Sequence, residues 1–202
     1  GIDRVFDAPS VSGLGQRSVT LRGLSVSGGF VAGTNQGGGG LRCMYPAVLR
    51  VEESVIEANH AASEGGAGIH AFDCSLEVIS SHVRRNSAWA GGVWVISGSL
   101  LVEDSTISEN EAAVATGGVG RGGWPGNAVI RRSIVSHNIS GGSTGGLAFG
   151  DTNSFTLEDV TVLSNRGRSV GGLSQAGDAS VSWIRNFRFI DNERGLRACS
   201  LL

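Results

Sequence analysis

The residues that could do chemistry in this chain are few, and their types narrow the chemistry at once. All 16 basic residues of the 202 are arginine, so lysine Schiff-base and lysine general-base mechanisms have no residue to run on. The four histidines, His60, His70, His82 and His137, share no spacing that would bring them together on a metal. Cys43, Cys74 and Cys199 contain no C-x-x-C pair, which removes a structural zinc site. Asp151 and Asp178 stand fourteen residues before Asn165 and Asn192, in matching turns, and are the pair that could share a calcium ion; no other cofactor is indicated. Trp94, Trp89 and Arg42 are the candidate ligand-binding residues, with the indole of Trp94 as a stacking platform for a sugar. No residue takes a catalytic role.

The elements that position these groups follow from a repeat. Asn59, Asn86, Asn110, Asn138, Asn165 and Asn192 each close an apolar-x-x-Asn segment, at intervals of 27, 24, 28, 27 and 27 residues. Glycine pairs recur in step at 39–40, 65–66, 91–92, 117–118, 145–146 and 171–172, each followed by a small or apolar residue. Between these markers lie three short alternating segments per period, the pattern of strands. No segment is long enough in a 3.6-residue period for a helix. A repeat unit of three strands cannot bury its inward face alone, and stacking repeats buries a continuous apolar column.

The fold expected is therefore all-β, a right-handed parallel β-helix of about seven coils of ~27 residues with three strands per coil. Residues 1–29 read as an irregular entry coil, 30–192 as regular coils, and 193–202 as the start of a further, truncated coil, all within one domain. The asparagines form an inward ladder, each tolerating the left-handed backbone of a corner and bonding its neighbour. The sequon Asn138-Ile139-Ser140 falls in that ladder and is not expected to carry a glycan. Ser54, Ser81, Ser105 and Ser133 form a second inward stack at another corner. Glu103, Arg131, Glu158 and Arg185 make a surface charge ladder of alternating sign.

By the same alternation, the outward column of the first strand holds Arg42, Gly68, Trp94, Gly120, Ala148 and Ser174. No acidic residue is expected there, so the two facing carboxylates that glycoside hydrolysis needs are missing. Cys43 points inward on this strand and is expected as a buried free thiol, with a bridge to Cys74 left open. Glycine at 33 residues and hydrophobic residues at 40% exclude collagen-like and disordered chains. A net charge of −2 gives no nucleic-acid footprint, and no apolar run approaches a membrane span.

The glycine-pair and apolar-x-x-Asn motifs resemble the repeats of right-handed β-helix proteins on bacterial surfaces, including the GGA-I and F-x-x-N repeats of polymorphic outer-membrane proteins. Phe189-Ile190-Asp191-Asn192 matches the second motif, and Gly65-Gly66-Ala67-Gly68-Ile69 is near the first. The opening Asp3-Arg4-Val5-Phe6-Asp7 is similar to the entry coils of secreted pectin-lyase-like proteins. The resemblance implies an extracellular or cell-surface structural and binding module, adhesin- or passenger-like, that meets a carbohydrate or another protein. The alternative it implies is a polysaccharide lyase or glycoside hydrolase fragment. Open strand edges at both ends predict end-to-end self-association unless something caps them.

Overall fold

A computed structural model describes residues 4–8, 17–32, 37–62, 65–123, 126–177 and 181–193. The described residues contain strands and turns and no helix. They wind into a parallel β-solenoid of about six turns. Every strand pairing is parallel and joins a segment to its counterpart one coil on, as in Leu100↔Ala128 and Ile107↔Val135. The first and second strands of each coil belong to one sheet of 12 strands, and in the second and third coils they run together as Leu41–Glu52 and Ile69–Ile79. The third strands form a separate sheet of seven.

A fourth strand per coil, not expected from the sequence, follows the asparagines from Asn59 to Asn165 and also appears earlier as Phe30–Val31. It is only two residues long, as in Ser87–Ala88 and Glu111–Ala112, and these pieces stack into a six-stranded sheet. Two residues carry too little alternation to announce a strand.

The core is the inward column of each sheet. Leu41, Ile69, Val93, Val119 and Leu147 fill it from the first strand, and Leu49, Leu76, Leu100, Ala128 and Phe155 from the second. Phe149 and Phe155 stack at 4.9 Å where these two columns meet. Ile56, Val83, Ile107, Val135 and Val162 close the interior from the third strand. Stacked like residues at successive rungs bury apolar surface along the whole solenoid.

The corners are set by polar ladders. Each asparagine amide donates to the Oδ1 of the next, at 2.9 Å from Asn110 to Asn138, and also to a backbone carbonyl, at 2.9 Å from Asn110 to Val83. The same Oδ1 accepts the preceding asparagine's backbone N–H, so Asn110 Oδ1 takes both Asn86 N and Asn86 Nδ2. Asn138 is fully buried in this ladder, which closes the sequon to glycosylation. The left-handed residue at this corner is the one before the asparagine: Ala58, Arg85, Glu109, His137, Ser164 and Asp191 have φ of 47–56°. The asparagine is selected for its amide and not for its backbone.

The serines build a second ladder. Each Oγ accepts a backbone N–H one coil earlier, from Leu24 at Ser54 and from the preceding serine at the others, at 3.0 Å from Ser81 to Ser105, and donates to the carbonyl two residues back. The residues before these serines, Glu53, Ser80, Asp104 and Arg132, have positive φ. Outside, Arg131 meets Glu103 at 2.9 Å, Arg132 meets both Glu103 and Asp104, and Arg185 meets Glu158 at 3.6 Å. The alternating charge column is therefore paired coil to coil.

Candidate binding face

The outward column of the first strand differs from its expected composition at two rungs. Leu41, Ile69 and Val93 share a register, so Gly39–Gly40 is matched by Ala67–Gly68 and then Gly91–Gly92. Gly65–Gly66 lies two residues too early to be the rung pair. The outward residue between Arg42 and Trp94 is therefore His70, in place of the expected Gly68. Gly65 instead has φ +105°, and a Cβ there would stand 2.6 Å from His70 Nδ1, so its glycine makes room for the imidazole.

The second difference is Asp7. The entry strand Phe6–Ala8 pairs with Leu41–Cys43, which puts Asp7 beside Arg42 at the head of the column. The expectation of no acidic residue on this face is thereby corrected. The entry coil lacks both repeat markers before Asp7, so alternation could not reach it. Arg42 binds Asp7 bidentately, Nε to Oδ1 at 2.9 Å and Nη2 to Oδ2, and Arg4 adds a contact at 2.7 Å. Burial pulls the Asp7 carboxyl upward, but the two arginines outweigh it and hold it below the usual carboxylate range.

His70 sits on the other side of Arg42, with both ring nitrogens buried and without a hydrogen-bond partner. Burial, then the charges of Arg42 and Arg4, push its pKa down to about 4. The ring is neutral at neutral pH. The column thus runs from a carboxylate, through an arginine and a neutral imidazole, to Trp94.

Trp94 is half-buried and lies across Gly120, the next rung. A Cβ on Gly120 would stand 2.2 Å from both Cε3 and Cζ3, against that edge of the six-membered ring. Glycine is therefore required for the indole edge to pass over this rung. Trp89, in the turn before the strand, meets Trp94 edge-on at 5.6 Å and 80°. Beyond Gly120 the column continues with Ala148 and with Ser174, whose Oγ is 2.8 Å from Thr144 Oγ1. Of the three residues proposed from sequence, Trp94 and Trp89 touch, and Arg42 stands two rungs from Trp94 with His70 between.

The inward side of the same strands holds a residue the sequence pattern concealed. Arg121 occupies a core rung between Val95 and Phe149 and is 1% exposed. Its guanidinium donates to the carbonyls of Gly98, Gly123 and Asp151. Desolvation lowers its pKa, with the Asp151 charge opposing. It fastens three successive turns by their backbone.

Cys43 and Cys74 are joined by a disulfide with Cα atoms 6.0 Å apart. The buried free thiol expected at Cys43 is corrected: the register that brings His70 beside Arg42 also brings Cys74 opposite Ala47, within reach. Asp151 is exposed at the turn after the first strand, while its proposed calcium partner Asp178 lies outside the described residues, as does Cys199. Among the described residues no three His, Cys, Asp or Glu side chains gather where a metal could sit. A shallow groove of about 360 Å³ crosses the second-strand sheet, lined by Ser75, Glu77, Ser99, Leu101, Asn127 and Val129, on a different strip of the surface. Among the described residues, no helix is long and apolar enough to cross a membrane.

Compared with known protein families, curated proteins and solved structures, the chain matches none.

Proposed function

We propose that this β-solenoid is a structural and binding module of a secreted or cell-surface protein, and that it contacts carbohydrate through the Trp94 face. The observation that carries the reading is the half-exposed indole of Trp94 reaching over Gly120, with Trp89 packed against it at 5.6 Å and 80°. An outward aromatic face offers a sugar ring a large apolar contact at little entropic cost. The neighbouring Asp7–Arg42 pair supplies fixed polar atoms at the end of the same column.

Two further points support the location. The Cys43–Cys74 bridge is buried and structural, and such disulfides persist in oxidising compartments. The repeat motifs resemble those of adhesin-like surface proteins, where a rigid rod displays side chains at regular spacing. The lyase or hydrolase alternative has less to build on. Asp7 is held ionised by two arginines and cannot act as a general acid, and Arg42 is occupied by Asp7.

The test is retention of the purified protein on a broad polysaccharide panel, with product masses read in parallel. Retention without shortened products, lost on Trp94→Ala, is expected. Shortened or unsaturated products, or retention that Trp94→Ala leaves untouched, would overturn the reading.

A further inference from the structure

We propose that the polymer taken by the Trp94 face is an uncharged polysaccharide, built of neutral hexoses, and not a uronate or a sulfated chain. The inference rests on the carbohydrate reading above and adds the charge of the ligand.

The outward side chains of the first strands form two columns. Two residues on from the column of Arg42, His70 and Trp94 runs a second, in which Phe72 pairs with Ile96 and Ile96 with Gly122. Phe72 is 40% exposed and Ile96 is half-buried, so the strip beside the indole is apolar. Past Trp94 both columns turn small, with Gly120 and Ala148 in one and Gly122 and Gly150 in the other. From Trp94 to Ser174 is three rungs, about 14 Å at the usual strand spacing. None of the described outward side chains of these strands over that stretch carries a charge.

The charged groups around this stretch do not suit an anion. Arg42 is held by both oxygens of Asp7, and its side chain is 18% exposed. His70, between Arg42 and Trp94, is neutral at neutral pH, chiefly through burial. Along the flank, Asp73 follows Phe72 and Asp151 follows Gly150, both exposed at turn positions with φ of 48° and 45°. The exposed Arg168 belongs to the turn ahead of Leu173, three rungs from Trp94.

A carboxylate or sulfate laid against the indole and Ile96 therefore sheds water and meets two carboxylates at the flank. A neutral sugar pays neither penalty: its C–H face covers the aromatic surface and its hydroxyls stay in water.

Affinity electrophoresis of the full chain tests this, in gels containing a neutral glucan, mannan or galactan, or polygalacturonate, alginate or a sulfated galactan. The salt range is about 0.05 to 1 M, which spans weak to nearly complete screening. At low salt, a neutral polymer should be bound at least about tenfold more tightly than any of the acidic ones. That binding should be unchanged by salt and lost in Trp94→Ala. Acidic polymers bound as tightly as neutral ones, with binding lost in Trp94→Ala, would overturn the inference and leave the carbohydrate reading standing. Binding of no polymer, or binding that Trp94→Ala leaves untouched, would overturn both.

Discussion

Asn110→Ala is the substitution whose cost the structure predicts most sharply. The Asn110 amide makes four side-chain bonds: Nδ2 donates to Val83 O and to Asn138 Oδ1, both at 2.9 Å, and Oδ1 accepts from Asn86 N at 3.0 Å and Asn86 Nδ2 at 2.9 Å. Asn110 and its ladder neighbours are fully or nearly fully buried. Truncation strands a backbone N–H on one side and a carbonyl on the other. At about 1 kcal/mol per bond, with orphaned buried groups adding to it, the loss is about 4 kcal/mol. Ser105→Ala is the internal comparison. Its Oγ accepts Ser81 N at 3.0 Å and donates chiefly to Glu103 O at 2.7 Å, so about 2 kcal/mol is expected. Urea unfolding followed by circular dichroism measures both, with midpoints compared at equal slope. A cost for Asn110→Ala below about 1 kcal/mol, or no greater than that of Ser105→Ala, would refute the reasoning that the ladder amides hold the corners.

Four more outcomes follow from the same structure. Gly120→Ala should displace the Trp94 indole, costing about 1–3 kcal/mol and shifting tryptophan emission to the red, because a Cβ at that position would stand 2.2 Å from the ring's Cε3–Cζ3 edge. Arg121→Ala should cost about 3–5 kcal/mol in a denaturation experiment, since it unties the Gly98, Gly123 and Asp151 carbonyls, and Arg121→Lys should not rescue it because one ammonium cannot reproduce the planar fork. Replacing Cys43 and Cys74 together by alanine should cost about 3–4 kcal/mol, as expected for opening a loop with a sequence separation of 31. Ala58→Gly should stabilise by about 0.5–1 kcal/mol, measured as a raised melting temperature, because Ala58 is exposed with φ 53°.

Much of the solenoid is legible in the sequence, and the exceptions have physical causes. The asparagine column reads directly because the same amide must recur at every coil to satisfy its neighbours. The inward columns read because burial enforces alternation over the second strand, from Leu49 and Val51 to Phe155 and Leu157. The third coil misleads because Gly65-Gly66-Ala67-Gly68 offers two places for the rung pair. Ala67 fits a slot that glycine fills elsewhere, and the true register appears only when Ile69 is set against Leu41 and Val93. That two-residue difference hides both His70 and the disulfide. Arg121 is concealed for another reason: a charged residue at an inward position contradicts the pattern, and only the turn carbonyls it serves explain it. Trp94 and its glycine, by contrast, are visible from alternation alone.

The register of the third coil is the claim on which the binding face, the buried imidazole and the bridge all rest. Peptide mapping of the unreduced protein by mass spectrometry tests it most directly. The structure predicts a linked peptide pair containing Cys43 and Cys74. Were Gly65–Gly66 the rung pair, Cys74 would lie two residues further along the strand from Cys43, out of bonding range. Full alkylation of both thiols in denatured, unreduced protein would contradict the register, and with it the placement of His70 between Arg42 and Trp94.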